Sequence, residues 1–337
     1  MRRSLFIFMA FPISAAAGPY QDALRPAGVQ AEKILDLWHL TLGITSLVFI
    51  AVLAAFVYAL WHAPRADEQT AADTSSLRQP DTSSRRAVLL AILASVVLLL
   101  ALLVADVLTD RALARMSLSN GLHIELTGHR WWWEARYSAD PASNMFTTAN
   151  ELHIPVGKPV ILTLKSSDVI HSFWVPNLHG KKDLIPGRTA TIELRADKPG
   201  IYRGQCAEFC GFQHAKMALL VIAEPQKQYD AWAAHQRQSA SAPAADLASR
   251  GQKIFMGTTC VMCHTVRGTP AQAIFGPDLT HVASRKTLAA GTLPNTRAHR
   301  AAWVSDPQQF KPGANMPPSN LSGEELQALL AYLETLR

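Results

Sequence analysis

Two stretches of this 337-residue chain, 37–60 and 87–105, contain no Asp, Glu, Lys or Arg. As α-helices rising 1.5 Å per residue they would cover about 36 Å and about 28 Å, the span of a bilayer core. Their apolar residues fall on every face, so neither has the polar stripe of a helix lying on a soluble core. They predict a transmembrane hairpin over residues 28–111, and the topology of the rest follows by counting. The N-terminus carries Arg2 and Arg3, an apolar run from Leu5 to Ile13, and the small residues Ser14-Ala15-Ala16-Ala17 before Gly18. That pattern reads as a cleavable export signal over 1–17, since the run is too short to be an anchor. Between the two long runs, Arg65, Arg78, Arg85 and Arg86 mark a polar cytoplasmic loop. An exported start and two crossings leave everything beyond Arg111 on the periplasmic or outer face of a bacterial-type plasma membrane.

The formal charge is +6, but the basic residues are dispersed and form no block, which argues against a nucleic-acid partner. From 112 to 224 the pattern changes to short β-branched runs, such as Val160-Ile161-Leu162-Thr163-Leu164 and Ala190-Thr191-Ile192-Glu193-Leu194, separated by Gly and Pro turns. This predicts an all-β Greek-key sandwich. Residues 225–246 mix a short helical stretch with the Ser/Ala/Pro-rich segment from Ser239 to Pro243, which reads as a linker. The last part, 247–337, reads as a small all-α domain whose final helix starts at a capping box formed by Ser322 and Glu325.

All four cysteines fall in two short clusters. The first reads Gln205-Cys206-Ala207-Glu208-Phe209-Cys210-Gly211-Phe212-Gln213-His214-Ala215-Lys216-Met217. Cys206 and Cys210 alone would suit a disulfide in an oxidising compartment. With His214 and Met217 close behind, two thiolates, an imidazole and a thioether form a soft donor set that selects copper over hard cations. The Cys-x3-Cys spacing differs from the Cys-x2-Cys pairs of zinc sites. A mononuclear blue-copper site uses one cysteine, so the second cysteine points to a copper pair bridged by both sulfurs. The second imidazole such a site needs is offered by His171, in Val169-Ile170-His171-Ser172-Phe173-Trp174-Val175-Pro176.

The second cluster, Cys260-Val261-Met262-Cys263-His264, is the C-x-x-C-H pattern of covalent c-type haem, with His264 on the iron. Met316, in Gly313-Ala314-Asn315-Met316-Pro317-Pro318, is placed to be the sixth ligand, with His281 and His299 as rivals. Met262 reads as packing.

With these motifs together, residues 28–224 resemble subunit II of the haem–copper cytochrome c oxidases. Gly128-His129-Arg130-Trp131-Trp132-Trp133, the His171 segment, Lys182-Asp183-Leu184-Ile185-Pro186-Gly187-Arg188 and the cysteine cluster carry the resemblance. Residues 247–337 resemble a class I cytochrome c, and the fusion resembles the caa-type branch. The resemblance implies a cupredoxin-like fold and a binuclear copper A centre bridged by Cys206 and Cys210. It assigns His171 and His214 as terminal ligands, Met217 as a weak ligand and the Glu208 carbonyl as a further one. The Glu208 carboxylate would face a magnesium ion at subunit I, and Trp131 would be the electron-entry residue. Trp132 and Trp133 read instead as aromatics of a membrane interface.

Implied partners are subunit I, where oxygen reduction and proton pumping occur, subunit III, and a cytochrome c or other electron donor. One departure stands out: many family members place an acidic residue at the start of the second helix, and Ser83-Ser84-Arg85-Arg86-Ala87-Val88 has none. Nitrous oxide reductases carry a similar copper pair, but they would need a further copper-cluster domain. Quinol-oxidising relatives lack the copper ligands, and a copper-delivery protein would not need a haem.

Overall fold

Both uncharged runs lie inside longer helices. In the computed structural model, which describes residues 21–63, 82–114, 121–138 and 141–337, α1 spans Val29–His62 and α2 spans Thr82–Ala114. Each exceeds the uncharged run because helix continues through polar ends, Glu32, Lys33 and Asp36 in α1 and Asp106, Asp110 and Arg111 in α2. Both are long and apolar enough to cross a membrane, with mean hydropathies of 2.5 and 3.2 over their most apolar windows. The first turn of α2 contains no acidic residue. The expected export signal, 1–17, and most of the expected cytoplasmic loop lie outside the described residues.

Just before α1 and in its first turn the chain is stitched to the β-domain. Ala27 donates its amide to the Asn177 carbonyl and accepts from Asp197, both at 2.7 Å, and the Gln30 side chain accepts from Arg195.

The β-domain comprises β1 (Leu122–His129), β2 (Trp132–Tyr137), β3 (Phe146–Ala149), β4 (Glu151–Pro155), β5 (Val160–Ser166), β6 (His171–Phe173), β7 (Lys182–Leu184), β8 (Ala190–Leu194), β9 (Gly200–Gln205) and β10 (Ala218–Glu224). One sheet has the order β3-β2-β1-β5-β8 and a second the order β4-β10-β9, with β6 and β7 forming a separate hairpin. β1 pairs parallel with β5, and β4 parallel with β10, so the chain crosses between sheets rather than meandering. The two runs read from alternation, in β5 and β8, pair antiparallel with each other. Their inward residues Leu162, Leu164, Ile192 and Leu194 join Ile124, Leu126 and Val221 in the core. The result is the cupredoxin-like sandwich expected.

Trp133 departs from expectation. It is 1 % exposed and lies in that core, because the period-2 alternation of β2 turns Trp133 inward and Trp132 outward. Trp132 stacks on His129, with ring centroids 4.2 Å apart.

Residues 225–246, expected as a linker, begin with helix α3 (Gln226–Gln236). Its Tyr229 and Ala233 are buried, and Trp232 stacks on His153 at 4.0 Å and meets Tyr137 and Phe146 edge-on. That first half is therefore packed on the sandwich. The second half runs along the C-terminal domain, where the Ala240 amide bonds the Arg267 carbonyl.

The C-terminal domain contains α4 (Asp246–Gly257), a short ribbon of β11 (Thr287–Leu288) and β12 (Leu293–Pro294), α5 (Arg297–Ser305) and α6 (Gly323–Thr335). α4 and α6 cross through an edge-on contact of Phe255 with Tyr332, and the core adds Val266, Val282, Leu329 and Leu333. The expected capping box opens α6: Ser322 Oγ accepts from the Glu325 amide, and the Glu325 carboxylate accepts from the Ser322 amide.

Candidate metal centres

β6 brings His171, and the loop between β9 and β10 brings the cysteine cluster, to one end of the sandwich. Cys206 Sγ lies 3.8 Å from Cys210 Sγ and 4.0 Å from His171 Nδ1. Cys210 Sγ lies 3.7 Å from His214 Nδ1 and 3.8 Å from Met217 Sδ, while the Glu208 carbonyl is 3.2 Å from Cys206 Sγ. A disulfide holds its sulfurs at about 2.05 Å, so these thiols are free. Donor atoms bound at about 2.0–2.3 Å to a shared tetrahedral ion stand about 3.3–3.8 Å apart, close to the spacing seen. The ligand atoms of His171, Cys206 and Cys210 all lie within 4.8 Å of one another. The side chains of His171, Cys206 and Cys210 therefore fit a soft metal, and His214, Met217 and the Glu208 carbonyl lie next to these sulfurs as further candidate donors.

The surroundings favour ligation. The Asp168 carboxylate bonds His171 Nε2 at 2.8 Å, leaving Nδ1 as the free lone pair toward the sulfurs. The ring of His171 lies against Gly128, where a Cβ would meet its Cδ2 at 2.7 Å. A hydrogen bond from the Cys210 thiol biases Cys206 toward thiolate, down to about 4, and pushes the Cys210 thiol up. Metal binding would remove both protons. The Glu208 side chain is exposed and belongs to no cluster of metal-ligating side chains among the described residues.

The haem motif occupies a short helical turn after α4, closed by the His264 amide on the Cys260 carbonyl at 3.0 Å. His264 Nδ1 donates to the Pro277 carbonyl at 2.8 Å, which leaves Nε2 as the lone pair for iron. Burial lowers the His264 pKa, favouring that neutral form. This ring, too, sits over a glycine, since a Cβ on Gly276 would lie 2.7 Å from His264 Cε1. The chemistry thus fits a covalent haem held by Cys260, Cys263 and His264. Met316 lies in the loop after α5, pinned by Gln308: its side-chain amide donates to the carbonyls of Ala314 and Met316 and accepts from the Gly313 amide, at 2.8–2.9 Å. Of the rivals, His281 has both ring nitrogens against main-chain carbonyls, and His299 is tied to Thr296 at the start of α5.

Trp131 lies against the cysteine loop. Its indole N–H donates to the Cys210 carbonyl at 2.8 Å, and the residue is 6 % exposed. Asp168, Gln308, Gln213 and Lys311 were not singled out by the sequence. Gln213 and Lys311 act on partners distant in the chain and Gln308 acts on the backbone, while Asp168 is only three residues before His171, a local spacing that could have been read.

Two family models match the chain, cytochrome C oxidase subunit II, periplasmic domain, over residues 138–224 and cytochrome c over residues 248–337. The cytochrome c oxidase subunit 2 of Alkalihalophilus pseudofirmus is 36 % identical over 320 residues, covering 94 % of this chain and 90 % of the relative. That of Bacillus subtilis is 29 % identical, covering 96 % and 94 %. Among solved structures, the periplasmic domain of subunit II of cytochrome oxidase of Bradyrhizobium japonicum is 29 % identical, with a TM-score of 0.33, over 36 % of this chain and 97 % of that one.

Proposed function

The chain belongs to the cytochrome c oxidase subunit II family, with a cytochrome c domain attached, and on that premise we propose that it is the electron-entry subunit of a caa-type terminal oxidase. Its family makes it part of a haem–copper oxidase, and its two apolar helices fit a membrane anchor. In this reading the metal domains lie on the periplasmic or outer side. A cytochrome c or other donor reduces the haem domain, and electrons leave the copper domain for subunit I, with subunit III alongside. Oxygen reduction and proton pumping belong to the complex, and among the described residues the first turn of α2 holds no acidic residue for proton entry.

When bound, the two groups would supply one-electron redox chemistry, in which no bond or proton of the chain changes hands. The residues do the positioning. Cys206, Cys210, His171 and His214 would hold the copper, with Met217 and the Glu208 carbonyl as weaker donors, and Cys260, Cys263, His264 and Met316 would hold the haem. Trp131 would pass the electron, since its indole bonds the main chain of Cys210. The magnesium contact of the Glu208 carboxylate would need its other ligands from subunit I.

The observation that carries the reading is the convergence of two thiols, two imidazoles and a thioether within about one metal-ligand shell. Spin resonance of the purified, copper-loaded protein tests it. One unpaired electron split by two equivalent copper nuclei is expected, and Cys210→Ser should abolish that pattern while leaving haem attached. A single-copper pattern, or one copper per chain by metal analysis, would overturn it.

A further inference from the structure

The face of the copper domain that carries Trp131 is covered by the chain's own haem domain. The covering segment, 310–313, leads directly into Met316. A Cβ on Gly313 would lie 3.7 Å from Trp131 Cη2, so this main chain rests on the indole edge. The same segment is tied to the copper-ligand loop on both sides of His214: Gln213 Nε2 donates to the Pro312 carbonyl at 2.8 Å, and Lys216 Nζ donates to the Phe310 carbonyl. Farther out, the Ala218 amide bonds the Ala290 carbonyl at 3.0 Å. The buried Glu151 carboxylate accepts the amides of Lys286 at 2.6 Å and Thr287 at 3.0 Å.

Lys311 is the innermost cation of this interface, 3 % exposed. Its ammonium donates to the Trp131 carbonyl at 2.7 Å and to the Ala289 carbonyl at 3.1 Å, one acceptor in each domain. Burial pushes its pKa down to about 7, a measure of how far the site is from water. Burying a cation is costly, and an apolar side chain of similar length would fill the space at lower cost. What the ammonium adds is direction: it draws two carbonyls toward one point and so sets the distance between the domains.

We propose that Lys311 is a positioning residue for electron entry: by clamping the Trp131 carbonyl to the Ala289 carbonyl it holds the haem-ligand segment 310–316 against the indole. The inference rests on the reading of Trp131 as entry residue and Met316 as haem ligand. Electronic coupling falls steeply with separation, so a small opening of this contact would slow transfer even with both metal sites intact. One electron crosses from ferrous haem to the oxidised copper pair, and Lys311 gains and loses nothing in the step.

The test compares Lys311→Met, which keeps the stem and removes the charge, with Lys311→Arg, both in the assembled, metal-loaded oxidase. The amides of Ala218, Lys286 and Thr287 donate across the interface, so their hydrogen exchange reads its opening. In Lys311→Met, losing hydrogen bonds from a charged donor should lower that protection about tenfold. Haem-to-copper transfer, followed by rapid optical kinetics, should slow as well, while the copper hyperfine pattern and haem spectrum stay as in the wild type. Lys311→Arg should restore most of both effects.

Wild-type protection or wild-type transfer in Lys311→Met would overturn the proposal, as would failure of arginine to rescue. Trp131→Phe separates this outcome from failure of the underlying reading. If Trp131→Phe slows transfer and Lys311→Met does not, only the role of Lys311 is wrong. If Trp131→Phe transfers at the wild-type rate, the entry assignment itself falls.

Discussion

The two metal-site histidines are seated alike and fixed differently. His171 and His264 each lie against a glycine, and each gives one ring nitrogen to an oxygen 2.8 Å away, so the other nitrogen is presented as a lone pair. The oxygen belongs to an anionic carboxylate, Asp168, at the copper site and to a neutral carbonyl, Pro277, at the haem site. The carboxylate is itself held by the amides of Val169 at 2.6 Å and Arg130 at 2.7 Å, and His171 in turn keeps it ionised. A carboxylate behind an imidazole raises its basicity as a ligand; a carbonyl mainly fixes its orientation. The difference matches what each site has to accomplish. On the proposed reading the copper domain would hold its metals by coordination alone, and Asp168 would add to their affinity, whereas the haem would be held by two covalent bonds, so that His264 would need only to be aimed.

That contrast is sharpest in Asp168→Asn. The amide keeps the shape of the carboxylate but removes the charge behind His171, and copper affinity should fall about 10- to 100-fold. Haem content should not change. Competition titration with a chelator, with the haem absorbance as internal standard, checks both. Equal affinity in variant and wild type would mean that the carboxylate only orients the ring, as the carbonyl does, and the comparison above would collapse.

A smaller effect is expected in the Met316 loop. Gln308 alone makes three hydrogen bonds to residues 313–316, so Gln308→Ala should loosen the Met316 loop by about 1–3 kcal/mol. Carbon monoxide binding to the reduced haem measures this directly: the variant should bind faster than wild type and slower than Met316→Ala, which removes the ligand outright. If Met316→Ala itself binds no better than wild type, Met316 is not the sixth ligand.

Much of this architecture is legible in the sequence where the determinant is local. Alternation in Val160–Leu164 and Ala190–Leu194 marks β5 and β8, the cysteine spacing marks both metal clusters, and Ser322 with Glu325 marks the start of α6. The short helical stretch read in 225–246 is α3, but its packing on the sandwich is not legible locally, although Tyr229, Trp232, Ala233 and Gln236 recur at helical spacing. Tyr229 and Ala233 are buried in the sandwich core, and Trp232 finds its partners in β2, β3 and β4. Trp133 was misplaced because three consecutive tryptophans look like an interfacial belt, whereas strand alternation separates them. Gln308 acts on main-chain atoms and Lys311 on fold-dependent neighbours, whereas Asp168 sits three positions before His171 but carries no motif that marks it. Lys311 and Trp131 are 180 positions apart, a pairing that no local pattern encodes.

The smallest predicted effect decides whether the two metal domains are one cooperative unit. Ser322 caps α6 through a reciprocal pair of hydrogen bonds with Glu325, so Ser322→Ala should cost about 1 kcal/mol of helix stability. The cap lies in the haem domain and is exposed, so the loss is local in origin. α6 is nonetheless central to that domain's core, through Leu329, Tyr332 and Leu333. If the interface built by Lys311, Gln213 and Glu151 is strong, the domains unfold together, and both the haem and the copper transitions should move by a few degrees. If it is weak, only the haem transition should move, and copper loss should follow its wild-type curve. Thermal melts read at a haem band and at a copper band of the same sample distinguish the two, with joint movement expected from the hydrogen bonds that cross the interface. Movement of the haem transition alone would show that the domains are held by their tether more than by their contact.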